Sequence, residues 1–137
     1  MVPLPVPGMP AYRARGDHSG VGGTVLVVDD QDVVRDVIKL SLESAGYRVL
    51  EAATPSEALA LARDAGAGAE VDLLVTDVVM PEMDAFELAE RITFELPAVR
   101  VLYTSGYADA AAEGPFIQKP FTPGQLIEKV AAVLAAP

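Results

Sequence analysis

The chain has 137 residues, a formal net charge of -10 and no cysteine. An acidic surface repels phosphate backbones, so we expect no nucleic-acid binding, and the absence of cysteine excludes disulfides, thiolate zinc sites and a cysteine nucleophile. The absence of cysteine also fits a reducing compartment, so we expect a cytoplasmic protein. No apolar run approaches the ~18 residues of a membrane span, so we expect no membrane segment.

Residues 1–22 contain four prolines within the first ten positions and a glycine-rich stretch towards their end, with neither helical nor strand periodicity. This composition predicts a disordered arm or linker. The folded domain is predicted to cover residues 23–137, a length sufficient for one domain with a hydrophobic core.

A short β-branched run begins at Thr24 and is typical of a strand buried on both faces of a parallel sheet. A helical period follows and ends at Gly46, where a left-handed C-cap is expected. The predicted apolar stripe of this helix consists of Val33, Val34, Val37, Ile38, Leu42 and Ala45.

The second strand is predicted over residues 48–52, followed by the capping-box sequence Thr54-Pro55-Ser56-Glu57. This box begins a helix that we expect to run to about Ala65. Gly66 and Gly68 then predict a turn. Residues 71–76 read as a third strand that ends at Asp77.

The rest of the chain repeats the alternation, with a helix over residues 85–95, strands over 100–103 and 116–118, and a final helix that starts at a second capping box, Thr122 to Gln125. Strict alternation of apolar strands with helices predicts an α/β, doubly wound, five-stranded parallel sheet. Ligands bind such sheets beyond the carboxyl ends of the strands.

Polar residues stand at these carboxyl ends. Each is individually common in a turn or on a surface, but the five-strand register places all of them at one edge of the sheet. Three carboxylates at one edge repel one another and call for a cation, and an oxygen-only ligand set favours Mg²⁺. The residues are Asp29, Asp30, Asp77, Thr104, Ser105 and Lys119.

Carboxylate, hydroxyl, ammonium and a divalent ion together suit phosphoryl chemistry. A carboxylate beside a metal can attack phosphorus, while Lys and a hydroxyl contact the oxygens of the transferring group. The residues therefore predict a site that forms an acyl phosphate.

Four motifs in this order resemble the receiver domain of two-component response regulators, over about residues 24 to 135. The resemblance implies a flavodoxin-like sheet of order 2-1-3-4-5, in a domain that occurs alone or attached to hybrid histidine kinases. The motifs are VLVVDD at Val25 to Asp30, DxxMPxMD at Asp77 to Asp84, TSGY at Thr104 to Tyr107, and KPF at Lys119 to Phe121.

The resemblance also implies roles for single residues. Asp77 is similar to the phosphoacceptor, and Lys119 and Ser105 to the ammonium and hydroxyl that contact the phosphoryl group. Mg²⁺ would be held by Asp77 together with Asp29, Asp30 and the backbone carbonyl of Val79.

Further implied features concern the switch. Ser105 and Phe116 match the two residues that move on phosphorylation in this family, although Phe116 could equally be a core residue. Pro120 matches a proline that usually follows a cis peptide bond. Ala85 and Gln31 depart from the usual Gly and Glu, and we expect neither to abolish phosphorylation.

The largest departure is length, because only residues 104 to 115 separate the fourth strand from the fifth. Residues 108–113 could form at most about one and a half helical turns, so the fourth helix is expected to be short or absent. In the family this region often forms the dimer face, so we expect a monomer or a weak dimer.

The functional hypothesis is a receiver that accepts a phosphoryl group from a phosphohistidine on a histidine kinase or a phosphotransfer domain. We expect no enzymatic activity beyond self-phosphorylation and slow self-dephosphorylation. Dephosphorylation should be slow because the apolar side chains of Val79 and Tyr107 flank the site and hinder the attacking water. One alternative is a haloacid-dehalogenase-like phosphatase, which would require a second acid where Val79 stands. The others are a pseudo-receiver and a nucleotide-binding module, although no GxGxxG or P-loop is present.

Overall fold

A computed structural model describes residues 22–68, 70–106 and 114–136, without the side chains of residues 65–68. The described elements, in chain order, are β1 (Thr24–Val28), α1 (Asp32–Ser44), β2 (Arg48–Ala52), α2 (Pro55–Gly68), β3 (Leu73–Asp77), α3 (Ala85–Glu95), β4 (Arg100–Ser105), β5 (Phe116–Gln118) and α4 (Pro123–Ala135). The predicted arm and the shortened fourth helix fall mostly on residues 1–21 and 107–113, outside the described residues.

The strands form one sheet of order β2-β1-β3-β4-β5, and every neighbouring pair is parallel. The predicted doubly wound, flavodoxin-like sheet is therefore confirmed. β1 and β3 lie in the middle of the sheet and all ten of their residues are buried, as expected of strands covered on both faces.

Two hydrophobic clusters cover the two faces of the sheet. Successive strand residues point to opposite faces, so Val27 and Val75 pack against α1 and α4, while Val28 and Leu74 pack against α2 and α3. Burial on both faces fixes the register of the central strands, because a slip of one residue would turn each apolar set to the wrong face.

The predicted apolar stripe of α1 is wrong in part. Ile38 and Leu42 are buried, but Val33 and Val37 are 76% and 43% exposed. Each residue turns an α-helix by about 100°, so Val33 points well away from its neighbour Val34, which packs on the core. The apolar residues of α1 therefore span more than the face that the sheet can cover.

Helix ends follow the predicted chemistry with one correction. Thr122 and Gln125 form a complete capping box at α4, and Gly46 has a φ of 99° after α1. At α2 the Thr54 hydroxyl accepts from the Glu57 N–H at 3.2 Å. The predicted turn at residues 66–68 is wrong: α2 continues to Gly68, since glycine in a last helical turn costs only about 1 kcal/mol.

Candidate functional site

The predicted site residues come together at the carboxyl end of the sheet. Asp29 follows β1, Asp77 is the last residue of β3, Ser105 is the last residue of β4, and Lys119 follows β5. Two strand boundaries differ from prediction: β3 begins at Leu73 and includes Asp77, and β4 continues past Tyr103 to Ser105. The parallel ladder thus includes Asp77 and Ser105.

Asp29, Asp30 and Asp77 each place one carboxylate oxygen within 4.8 Å of the others. Asp29 is fully buried, Asp77 is 8% exposed and Asp30 is exposed, so the cluster opens to solvent on one side. All donors are hard oxygen atoms, and an open side leaves room for water or a phosphate oxygen. The cluster fits a divalent cation such as Mg²⁺.

Lys119 supplies positive charge to this cluster. Its Nζ lies 3.1 Å from Oδ2 of Asp29 and 3.4 Å from Oδ1 of Asp77. Its backbone N–H donates to the carbonyl of Ser105 at 2.8 Å, and the bond to Pro120 is cis, as predicted. Lys119 therefore connects the end of β4 to the carboxylates at the ends of β1 and β3.

The Asp77 carboxyl has a raised pKa. Burial is the main cause, the Lys119 ammonium opposes it, and the charge of Asp29 raises the pKa further. The backbone N–H of Val79 also hydrogen-bonds Asp77 and stabilises the ionised form. Any additional cation near Asp77 would favour the carboxylate, which is the nucleophilic form.

Arg35 on α1 supports the acidic pair and was missed in the sequence. Its Nη1 donates to the carbonyl of Asp29 at 2.7 Å, its Nη2 to Asp32 at 2.7 Å, and its Nε lies 3.5 Å from Glu51 on β2. The Gln31 N–H donates to Oδ1 of Asp29 at 2.9 Å. No local sequence signal marks this role, because the contacts of Arg35 depend on how α1 lies against β2.

Glu82 is a second residue that the sequence did not single out. It has a φ of 79°, in the left-handed region that few side chains adopt. Its Oε1 accepts from the N–H and the hydroxyl of Ser56, at 3.2 and 2.8 Å. The loop after Asp77 is thereby tied to the first turn of α2.

The predicted switch residues lie on β4 and β5. Ser105 is buried, whereas Phe116 is half-buried against the cluster on the α2 and α3 face. Phe116 pairs with Tyr103, whose ring packs edge-on against Phe86 with 4.9 Å between centroids. Tyr107, predicted to hinder water, lies outside the described residues.

A profile of the response regulator receiver domain matches residues 25–131. The chain belongs to this family. This chain is 40% identical to the sensor kinase CckA of Brucella abortus over 126 residues, which cover 86% of this chain and 13% of that protein. It is 36% identical to the chemotaxis protein CheY1 of Helicobacter pylori, over 80% of this chain and 95% of that one.

The crystal structure of the receiver domain from the hybrid histidine kinase CckA superposes with a TM-score of 0.73 at 37% identity, covering 82% of this chain and 99% of that chain. The chain spans only a small part of the kinase but nearly all of CheY1. The family favours a signalling phosphoacceptor over the phosphatase and nucleotide-binding alternatives. None of the helices in the described part of the chain combines the length and the hydrophobicity that a membrane span requires.

Proposed function

We propose that this receiver domain takes a phosphoryl group from a phosphohistidine, on a histidine kinase or a phosphotransfer domain, onto Asp77 with Mg²⁺. One observation carries the proposal: a nearly buried carboxylate lies within 3.4 Å of the Lys119 ammonium and within 4.8 Å of two further carboxylates. Ordinary surface acids lack this combination of a nucleophile, a cation and a hard-metal ligand set.

The metal ligands would be Asp29, Asp30, Asp77 and the backbone carbonyl of Val79. The oxygen-only donor set and the open side of the cluster support this assignment. A bound Mg²⁺ neutralises negative charge on the phosphoryl oxygens and lowers repulsion with the incoming carboxylate. Arg35 holds the backbone of Asp29 in place for this task.

In the transfer step, a carboxylate oxygen of Asp77 forms a bond to phosphorus while the P–N bond of the phosphohistidine breaks. The electron pair of that bond goes to the ring nitrogen, and the imidazole leaves neutral when its other nitrogen is protonated. Lys119 balances charge on the phosphoryl oxygens, and the Ser105 hydroxyl hydrogen-bonds one of them. The product is an acyl phosphate on Asp77.

The phosphorylated domain would signal to a partner protein through a conformational change in which Ser105 and Phe116 move. The half-buried position of Phe116 gives its ring two accessible environments, the cluster beside Tyr103 or solvent. The downstream protein partner is not identified by any residue of the chain. The predicted cytoplasmic location, the monomer or weak dimer, and slow self-dephosphorylation stay predictions.

Intact mass spectrometry tests the proposal on the full chain incubated with Mg²⁺ and phosphoramidate, a small donor with a P–N bond. Wild type should gain about 80 Da, the mass of one phosphoryl group. Asp77→Asn should show no adduct. The matched control is Asp84→Asn, because Asp84 caps α3 in the same loop and asparagine caps a helix equally well.

An adduct in wild type and in Asp84→Asn, absent without Mg²⁺, supports the proposal. If wild type remains unmodified and releases no inorganic phosphate, the pseudo-receiver is the better description. An adduct that persists in Asp77→Asn would assign the acceptor role to another residue.

A further inference from the structure

Thr104 on β4 has a feature that the proposed chemistry does not use. Its side chain is fully buried, and its Oγ1 is the one buried side-chain polar atom, among the residues that the structure describes, without a hydrogen-bond partner. Thr76 on β3 is buried to the same extent, but its hydroxyl donates to the carbonyl of Asp77 at 3.0 Å. Valine has the shape of threonine and would fill the place of Thr104 without desolvating a hydroxyl.

The ladder places Thr104 between the phosphoacceptor and the last strand. Asp77 pairs with Thr104, and Thr104 pairs with Ile117. Residues paired in a parallel sheet point to the same face, and Leu102 and Ile117 both pack in the cluster beneath α1 and α4. Thr104 therefore projects on the face where Ile117 lies.

Lys119 lies two residues after Ile117, one residue beyond β5, and its N–H continues the parallel ladder to the carbonyl of Ser105 at 2.8 Å. The alternation of an extended chain therefore places it on the same face as Ile117. Its Nζ nevertheless reaches Oδ1 of Asp77, two strands away from β5, at 3.4 Å. Thr104 is the residue of β4 in register with Asp77, and β4 lies between β5 and β3. A lysine side chain that reaches Asp77 from the end of β5 therefore has to span the face of β4 from which the unpartnered hydroxyl projects.

The ammonium group has three N–H donors, and the structure gives it two carboxylate partners, Asp29 and Asp77. A divalent cation bound to Asp29 would compete for the oxygen that Lys119 contacts. The ammonium would then have a free donor, and the unpartnered hydroxyl of Thr104 is an acceptor on the same face of β4.

We propose that Thr104 is a positioning residue for Lys119: its hydroxyl accepts a hydrogen bond from the ammonium once Asp29 binds a cation. This contact keeps Lys119 over Asp77 instead of letting it turn to solvent. The effect of Thr104 on phosphorylation rests on the proposed function. The hydrogen bond between Thr104 and Lys119 requires only that a cation binds Asp29.

The test compares full-length wild type with Thr104→Val and Thr104→Ser. The first readout is the NMR signal of the Lys119 ammonium, which becomes visible when hydrogen bonding slows its proton exchange, recorded with and without Mg²⁺. The second is the rate of Asp77 phosphorylation by phosphoramidate. We expect Mg²⁺ to sharpen the signal in wild type and in Thr104→Ser but not in Thr104→Val, whose rate should fall about 5- to 10-fold.

Thr76→Val is the matched control, since it removes a buried hydroxyl from the neighbouring strand on the opposite face of the sheet. It should lower the midpoint of thermal unfolding and leave the Lys119 signal unchanged. Thr104→Val should not lower that midpoint, because the hydroxyl it removes has no partner in the cation-free protein.

Equal Lys119 signals and equal rates in wild type and Thr104→Val would overturn the inference, as would a Thr104→Ser variant no better than valine. Failure of the proposed function is separate: wild type would then take no phosphoryl group, while the response of the Lys119 signal to Mg²⁺ would still decide the role of Thr104.

Discussion

The two sides of the site are built differently. On the acidic side, Asp29 directly follows β1 and Asp77 is the last residue of β3, and both five-residue strands are buried throughout. On the basic side, Lys119 follows β5, a strand of three residues of which none is fully buried. The buried strands thus hold Asp29 and Asp77 in place, whereas the Lys119 ammonium that contacts both carboxylates comes from a residue just after a short edge strand.

The largest expected effect is on the acidic side. Leu74→Ala on β3 removes a fully buried side chain and should lower the free energy of unfolding by about 2–5 kcal/mol. Ile117→Ala on β5 removes a partly buried side chain and should lower it by about 1 kcal/mol. Urea denaturation measures both losses. Equal losses would contradict the view that the buried strand β3 is held more firmly than the edge strand β5.

Arg35→Gln should have the next largest effect. It removes a charged donor from the carbonyl of Asp29 at 2.7 Å, and we expect a loss of about 1–2 kcal/mol in unfolding free energy together with weaker Mg²⁺ binding. Arg91→Gln is the control, because Arg91 pairs with Glu87 on the exposed surface of α3 and should change stability by less than about 0.5 kcal/mol.

Isothermal titration calorimetry with Mg²⁺ distinguishes the two arginine variants. Unchanged Mg²⁺ affinity in Arg35→Gln would mean that Gln31 and the core alone hold Asp29 in place. In that case the rigidity of the acidic side would come from the strands and not from the arginine.

The position of the acidic residues could be predicted from the sequence, because the local sequence pattern and the burial of the strands agree there. Apolar strands that end in acids predict both the sheet and the cluster at its edge. The sequence did not indicate Arg35, since its contacts depend on how α1 lies over β2, and an arginine on an exposed helix face has the same local pattern. The exposure of Val33 has the same origin.

Glu82 and Thr104 illustrate a second limit of sequence reasoning. A left-handed glutamate is not expected from propensity, because the favourable contact with Ser56 joins residues far apart in the chain. An unpartnered hydroxyl cannot be recognised before the neighbours of Thr104 are known. Motif spacing predicts which residues converge, but hydrogen-bond satisfaction is a property of the packed structure.

Asp77→Asn should stabilise the cation-free protein at pH values above the raised pKa of Asp77. Burial raises the pKa of Asp77 in the folded state, so the folded chain retains this proton to a higher pH than the unfolded chain does. Stability therefore falls as pH rises from the usual carboxyl range through the raised pKa, and it stays low above it.

The amide variant lacks this ionisation, so its advantage in stability should be full above the raised pKa and vanish below about pH 4, where the carboxyl is protonated in the folded and the unfolded chain. Thermal unfolding of both proteins in EDTA, at several pH values, measures the difference. An advantage that persists unchanged into acid would show that packing, and not the buried charge, is responsible.

The smallest expected effect is that of Gln118→Ala on the basic side. The Gln118 side-chain amide donates to the carbonyl of Gly106 at 3.5 Å, a long and exposed contact, whereas the Lys119 backbone N–H donates to Ser105 at 2.8 Å. We expect a change in unfolding free energy below about 0.5 kcal/mol, because the backbone bond holds the two strand ends together. A loss above about 1 kcal/mol in urea denaturation would show that the Gln118 side chain stabilises the basic side substantially. The edge strand would then be held as firmly as the core, and Lys119 and Ser105 could respond to phosphorylation only after the contact between Gln118 and Gly106 breaks.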